Sequence, residues 1–402
     1  MEVEITKKNT LTNVQLPSEW DLKSIGDLCT IYVGRDLKET LYSKIRSNEF
    51  NYPVYSNTVE EEGLYGYYNF KEFTGESLTI VGRGAGLGTA FTRKGSYGAI
   101  GRLLVLFPNE KVSAHYITEY VNNKLNIHQE SGGIPQLTGQ QITGYKIIIP
   151  EYPEQKAIAK VLSIMDSAIN ANNQLIAQKE LRKKWLMQNL LTGKKRLKGF
   201  SEEWKEFKYG SVLQEVKRNI EWDDNELYKL ISVRRRSGGI FFRDALYGHQ
   251  IKVKNLRNVE TGDYLISKMQ ILHGASALVT DEFEDAKISG SYIAVVAKNP
   301  SILNMEFFNW LSKLKYFYHQ TYVSSYGVHI EKMTFDFKSF LSLECVLPSI
   351  EEQTAIAQVL QAVDKELNLL RAKTDKLKEQ KKGIMQVLLT GKKRLNINIE
   401  SV

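Results

Sequence analysis

Two stretches decide the fold: PEYPEQKAIAKVLSIMD, Pro150–Asp166, and PSIEEQTAIAQVLQAVD, Pro348–Asp364. Each opens a segment that closes on nearly the same words, MQNLLTGKKRL ending at Leu197 and MQVLLTGKKRL ending at Leu395. The offset is 198 residues at both ends, from Pro150 to Pro348 and from Leu197 to Leu395. Identity gathers at the ends of the copies, in Gln155, Ala157, Ile158, Ala159, Val161, Leu162 and Asp166 with Gln353, Ala355, Ile356, Ala357, Val359, Leu360 and Asp364. Such a period is far too long for a solenoid and reads as the duplication of a half-molecule.

Inside each copy the apolar residues keep the 4-3 spacing of helices that bury a narrow seam against another helix. One seam runs Ile158, Leu162, Met165, Ile169, Asn172, Ile176, Lys179, Lys183, Leu186 and Leu190; the other runs Ile356, Leu360, Val363, Leu367, Leu370, Thr374, Leu377, Lys381, Ile384 and Leu388. The polar members are the kind that fix register in coiled coils at some cost in stability. Both runs end at Thr-Gly, where a helix stops on a residue that tolerates left-handed backbone. A helix of about 38 residues is roughly 57 Å long, too long for one compact domain, so the natural partner of each is the other copy.

The chain has 402 residues, enough for two or three domains, with 42% hydrophobic and 25% charged residues, as in soluble globular proteins. A net charge of +8 suits a polyanionic partner. Cys29 and Cys345 stand alone, so a cytoplasmic, disulfide-free protein is expected. The start, MEVEITKKNT, lacks the apolar core of a signal peptide, and the longest apolar runs, LLVLF and IAVVA, have strand length, so no membrane segment is expected.

The division that follows is a first mixed domain over 1–149, a helical segment 150–197, a second mixed domain 198–347, a second helical segment 348–395 and a tail 396–402. The mixed domains share a plan. LPSEWDLKSIGDL (Leu16–Leu28) is echoed by FSEEWKEFKYGSVL (Phe200–Leu213), Trp20 by Trp204, and the turn SGGIPQLTGQQI (Ser131–Ile142) by SSYGVHIEKMTFDF (Ser324–Phe337). A helix is expected over Ala114–Leu125 and another over Met305–Thr321, with final strands at Tyr145–Pro150 and Leu343–Pro348. The fold class is therefore α+β, two mixed heads on two long helices with an internal pseudo-two-fold repeat.

Catalytic and metal sites are hard to assemble. The six histidines, His115, His128, His249, His273, His319 and His329, lack metal-ligand spacing. The glycines at 82, 84, 86 and 88 fail the GxGxxG fingerprint at Leu87 and Thr89. Asp281 with Asp285-Ala286-Lys287 faintly resembles a nuclease triplet, and Asn51-Tyr52-Pro53-Val54 fails the adenine methyltransferase motif at its second position. No catalytic residue and no metal ligand is assigned.

Two unlike heads carried on like helices would measure a distance, and duplex DNA, whose half-sites recur every helical turn of about 34–36 Å, converts distance into specificity. The side chains chosen for DNA are Arg83, Arg93, Lys94, Arg102, Gln136 and Thr138 in the first head, and Arg234, Arg235, Arg236, Arg243, Lys252, Lys254, Ser325, Tyr326 and His329 in the second. Arginine binds phosphate or pairs with guanine, lysine serves phosphate, and the polar turn residues reach base edges.

Two repeats opening PxxxEQxAIAxVLxxxD and closing LLTGKKRL, alternating with two unlike domains that share a starting tryptophan, resemble the specificity subunit (HsdS) of type I restriction-modification systems. That resemblance implies two target-recognition domains reading the halves of a bipartite, asymmetric double-stranded DNA site, and an antiparallel coiled coil that sets the spacer. It implies a noncatalytic chain docked by two methylation subunits (HsdM) and two restriction subunits (HsdR), which use S-adenosylmethionine, ATP and Mg²⁺. The alike ends, Gln155, Ile158, Leu162, Leu190 and Leu191 with Gln353, Ile356, Leu360, Leu388 and Leu389, are then expected at the methylation-subunit interface. The competing expectation is a coiled-coil scaffold with two protein-binding heads.

Overall fold

A computed structural model describes residues 16–125, 127 and 136–395. The first fifteen residues, His128, the first part of the SGGIPQ turn and the expected tail 396–402 lie outside the described residues.

Each repeat forms one uninterrupted helix of 39 residues, Tyr152–Leu190 and Ile350–Leu388. All twenty seam residues are buried or half-buried, while the positions between them are mostly exposed, as a narrow apolar stripe requires. Gly193 and Gly391 follow the helix ends with φ of 69° and 71°. The amide of Lys195 reaches back to the Asn189 carbonyl and that of Lys393 to Val387, so both ends close with the same left-handed cap.

The chain divides into two compact units, and the division runs through the long helices. The first holds residues 1–173 and 372–402, that is, the first mixed domain, the start of the first long helix and the end of the second. The second holds Gln174–Arg371 and has the converse composition. Within each unit the two helical segments run antiparallel.

In the first unit, strand Asp21–Ser24 pairs antiparallel with Lys146–Ile149, which leads into the first long helix. A four-stranded sheet follows in the order Cys29–Val33, Leu104–Pro108, Ser77–Ile80, Ala90–Arg93. Helix Ala114–Lys124, capped by Ser113, covers its last two strands. Leu78, Ile80, Leu104, Leu106, Tyr116, Ile117 and Tyr120 make one core with Ile158 and Leu162 of the first long helix and Met385, Leu388 and Leu389 of the second. At about 25 cal/mol per Å² of apolar surface, burial of this kind is what holds the helix ends to the domain.

The second unit repeats that frame. Lys205–Lys208 pairs with Glu344–Leu347, and the four-stranded sheet runs Leu213–Val216, Tyr292–Ala297, Tyr264–Ser267, Ser276–Leu278. Its core gathers Tyr209, Phe307, Phe308, Phe317 and Phe340 with Leu190, Leu191, Ile356 and Leu360. The units differ in their outer five-stranded sheets. One is made of strands no longer than five residues, whereas the other is built on a long hairpin, Leu227–Val233 with Ile240–Tyr247.

The helix expected over Met305–Thr321 is two helices, Met305–Leu311 and Lys315–Val323. Phe308 and Phe317, nine residues apart, would stand on roughly opposite sides of a continuous helix. The break lets both rings meet at 5.7 Å in the same core.

Each unit also closes on a matching polar knot. Glu154, buried, accepts from Trp20 Nε1 at 3.1 Å and from Arg394 at 2.8 and 3.2 Å. Glu352, also buried, accepts from Trp204 Nε1 at 3.2 Å and from Arg196 at 2.5 and 2.6 Å. Gln155 binds the Ser113 amide at 2.8 Å and the Pro150 carbonyl at 2.9 Å, and Gln353 binds the Asn304 amide at 2.9 Å and the Pro348 carbonyl at 3.0 Å. Each knot takes its Glu-Gln from the start of one repeat and its arginine from the end of the other. Both starts and both ends must therefore stay alike, which is where the sequence identity lies.

Candidate nucleic-acid interface

In the first unit the central sheet ends in a cleft of about 580 Å³. It is lined by Arg35, Asp36, Arg83, Arg102, Gln136 and Thr138 among others. Two backbone bridges build it: Arg83 pairs antiparallel with Gln136, and Arg35 sits beside Ile100 in a parallel bridge. The Leu137 amide donates to the Gly82 carbonyl at 2.9 Å, and Gly82 N–H donates to Asn57 Oδ1 at 2.7 Å. Arg102 turns the chain in the left-handed region, φ 66°, with its amide on the Gly34 carbonyl at 2.9 Å. Arg35 and Arg102 are exposed, Arg83 is half-buried, and among the described residues none of the three is in an ion pair. The cleft thus carries three guanidinium groups against the single carboxylate of Asp36.

Four of the six side chains expected to meet DNA in this head come together there. Arg83 donates to Gln136 Oε1 at 3.2 Å, a pairing that holds both at the rim. Thr138 is taken by local structure: its hydroxyl accepts from the Gln141 amide at 3.1 Å and caps helix Gly139–Thr143. Lys94 is exposed on the turn between Ala90–Arg93 and Ser96–Ala99, strands of different sheets, and does not line the cleft.

Arg93 corrects the expectation. It is 4% exposed, lies 3.6 Å from the Tyr55 ring centroid, and donates to Thr79 Oγ1 and the Glu62 carbonyl. Burial lowers its pKa, with Tyr55 and Glu62 opposing. A strand residue facing inward is structural, however basic it is. Arg35, which sequence reasoning missed, takes its place at the surface; the only signal was its position after the exposed strand end, in Gly34-Arg35-Asp36.

The second unit builds the matching position from other residues. The Phe335 amide meets the Lys268 carbonyl at 2.9 Å as Leu137 meets Gly82, and Asp336 caps helix Phe337–Leu341 as Thr138 caps its own. The Arg234–Arg236 turn lies alongside, held by the Arg236 amide on the His273 carbonyl at 2.6 Å and the Ser237 amide on the Gly274 carbonyl at 2.9 Å. Arg236 has φ 58°. Glu331, also unforeseen, joins the pieces through Arg235 and His273, both at 3.3 Å.

Arg234 stacks on Phe241 at 4.4 Å; Arg236 and Arg243 are exposed. Lys252 is exposed on the outer sheet's flank, and Lys254 is bound to Asp224 at 2.8 Å and lies over Trp222. Ser325 donates to the Thr321 carbonyl at 2.7 Å. Tyr326, Val328, His329 and Ile330 stand out on the turn between the strands Ser325–Tyr326 and Thr334–Phe335, with Val328 94% exposed.

The ten side chains expected at the methylation-subunit interface face inward. Ile158, Leu162, Leu190, Leu191, Ile356, Leu360, Leu388 and Leu389 lie in the two main cores, and Gln155 and Gln353 spend their amides on the chain's own backbone. Apolar seam residues pack before they present a surface, so these ten position the helix ends and cannot themselves be the outward contact. Among the described residues no group of three His, Cys, Asp or Glu side chains is placed to hold a metal ion, and no helix is long and apolar enough to cross a membrane.

Two like frames with unlike cationic edges, each closed by the ends of two duplicated helices, define an internally duplicated protein with two mixed heads. The family model described as "Type I restriction modification DNA specificity domain" matches residues 17–180 and 201–379, and the chain belongs to this family. It is 23% identical to the type I restriction enzyme MjaVIII specificity subunit of Methanocaldococcus jannaschii over 427 aligned positions, covering 96% of both proteins. It is 31% identical to a putative type I specificity subunit of Mycoplasma pneumoniae over 167 positions, 40% of this chain and 53% of that one. Among solved structures it resembles the type I restriction-modification S subunit from M. genitalium, with a TM-score of 0.61 at 13% identity over 94% of this chain and 97% of that one. A chain from a study of type I complex assembly and conformational transition gives a TM-score of 0.53 at 13% identity, covering 93% and 98%.

Proposed function

We propose that this specificity subunit reads a bipartite, asymmetric site in duplex DNA, one half with each mixed domain, and is itself noncatalytic. The two long helices fix the unspecified spacer, and the outward faces of the helix ends receive two methylation and two restriction subunits. Those partners supply S-adenosylmethionine, ATP and Mg²⁺ in the cytoplasm. One observation carries the reading: the same structural position is cationic in both units yet furnished with different side chains, Arg35, Arg83 and Arg102 in one and the Arg234–Arg236 turn with Tyr326 in the other. A shared frame with divergent polar edges is what reading two different half-sites demands.

The test is adenine-methylation mapping in a methylation-free host that expresses the neighbouring methylation subunit with and without this chain. Two short specified blocks around a fixed gap, lost when the chain is omitted, are expected. Arg83→Ala with Arg102→Ala should blur one block and leave the other intact. Methylation independent of the chain, or a stable complex that binds duplex DNA with no salt dependence, would favour a scaffold whose heads bind protein.

A further inference from the structure

The second unit contains a cleft of about 760 Å³ that the DNA-reading edges leave free. The end of the first long helix forms one wall with Lys183, Lys184, Met187 and Lys194; the break between the two short helices forms another with Lys313, Leu314, Lys315 and Tyr316; Leu367 and Arg371 of the second long helix complete it. Six cationic side chains face one lining carboxylate, Glu180, and Arg371 occupies that carboxylate at 2.6 Å. Lys183 is bound to Asp364. Lys184, Lys194, Lys313 and Lys315 have no carboxylate partner among the described residues.

Lys313 is the most constrained of the four. Its ammonium lies 4.0 Å from the Trp310 ring centroid, and Lys183 lies 5.0 Å from the same centroid. Burial pushes its pKa down to about 8, with Lys183 adding to the fall and Asp364 opposing it. A half-buried ammonium crowded by a second one is stabilised when an anion enters. The rest of the lining mixes Met187, Leu314, Leu367 and Tyr316 with the polar Gln188, Asn189 and Thr192, and Tyr316 is 56% exposed with its hydroxyl tethered to Gln320 at 2.8 Å. A volume of this size lies within the range of roughly 300–1,000 Å³ typical of small-molecule sites.

The first unit keeps Lys382, Lys392 and Lys124 at the positions of Lys184, Lys194 and Lys315, but not the two side chains at the centre of the cleft. Aligning Asn304 with Ser113, the two residues whose amides the repeat glutamines bind, sets Asn122 at the position of Lys313 and Leu125 at that of Tyr316. Asn122 is spent on both backbone groups of Ala90. A docking surface for paired partner subunits would keep the same side chains in both units; the positions of Lys313 and Tyr316 differ, which favours a single small ligand.

We propose that the cleft binds a nucleoside polyphosphate, with Lys184, Lys194, Lys313 and Lys315 on the phosphates and Tyr316 and Met187 beside the base. The site is independent of the DNA-reading edges. Calorimetric titration of the intact, isolated chain with ATP, ADP, AMP and tripolyphosphate tests it. ATP and ADP should bind, AMP at least roughly tenfold more weakly, and tripolyphosphate more weakly than ATP. Lys313→Met and, separately, Lys315→Ala should each lower ATP affinity about tenfold with unchanged thermal melting, while Lys124→Ala in the first unit leaves it intact. The proposal falls if no titrant binds at about 1 mM, if AMP or tripolyphosphate matches ATP, or if Lys313→Met binds like the parent. It also falls if a short duplex of unrelated sequence displaces ATP, which would make the cleft a contact for the DNA backbone.

Discussion

Asp166, in the first long helix, accepts a hydrogen bond at 2.6 Å from Lys381 of the second. The repeat carries the pair over: Asp364 is bonded to Lys183. What differs is the domain beneath each lysine. Lys381 also meets Glu119 at 3.2 Å, whereas at the corresponding place in the second unit Lys183 lies 5.0 Å from the centroid of the Trp310 ring. One duplicated lysine has thus been matched to a carboxylate in one head and to an indole in the other.

That difference predicts unequal costs for equal substitutions. Burial opposes the charge on Glu119, but His115 and Lys381 outweigh it and hold the carboxyl below its usual range. Lys381→Met leaves this side chain, 8% exposed, with His115 and a long bond from Asn123 Nδ2 at 3.4 Å, and should cost about 2–3 kcal/mol. Lys183→Met leaves Asp364, 34% exposed and able to take up water, and should cost about 1 kcal/mol or less. Urea unfolding of the two variants checks this, and equal losses would mean that Glu119 contributes nothing beyond the shared pair.

The Trp-Glu-Arg knots give a second prediction. Glu352→Ala strips Arg196 and Trp204 Nε1 of their acceptor, and Glu154→Ala strips Trp20 Nε1 and leaves Arg394 with the exposed Glu19 alone. Each carboxylate is nearly inaccessible, at 1% and 2% exposure, so each loss should reach about 3 kcal/mol, while Trp204→Phe, which deletes one donor, should cost about 1 kcal/mol. Thermal melts of the three variants are the measurement. A Glu352→Ala loss no greater than that of Trp204→Phe would place the stability of the knot in ring packing alone.

The repeat, the seam and the glycine stops were legible because helices declare themselves by period and by their ends. The knots were half-legible. Trp20, Trp204 and the Glu-Gln words stood out, but nothing in one dimension says that Glu154 meets Arg394, 240 residues away. Arg93 and Arg35 show why the residues expected to face DNA were least legible. Arg93 is turned inward where Ala90–Arg93 pairs with Ser77–Ile80, and Arg35 is set at the surface beside Ile100, both of them long-range facts.

Cys29 and Cys345 give a pH prediction. Both are buried, and burial pushes each thiol up to about 12 from the ordinary 9.0. The native chain should therefore resist iodoacetamide at pH 8.5, where the unfolded chain is alkylated twice. Because the folded-state pKa is the higher one, this contribution to stability is complete below about 9 and declines as the pH climbs towards 12. Rapid alkylation of either thiol in native protein would show that its strand opens to solvent.

The crossed construction of the knots makes the strongest prediction. A half-chain ending near Leu197 keeps Trp20, Glu154 and Asp166 but lacks Arg394 and Lys381; it does carry Arg196 and Lys183, their mates one repeat earlier. A second copy can supply both, so the half-chain should pair with itself and, with one kind of head, recognise a symmetric site. Most of the packing also transfers, since Met187, Leu190 and Leu191 repeat Met385, Leu388 and Leu389. Two positions do not: Val387 packs against the first core and Asn189 stands in its place, and the seam residue Leu377 is answered by Lys179. The dimer should accordingly be weakened by about 1 kcal/mol and tightened by Asn189→Val, while Arg196→Glu, which sets two carboxylates face to face, should abolish it. Light scattering across a dilution series reads all three. A half-chain that stays monomeric with its long helix folded would mean that the duplicated ends do not hold one another, and that the crossed knots follow from the fold without driving it.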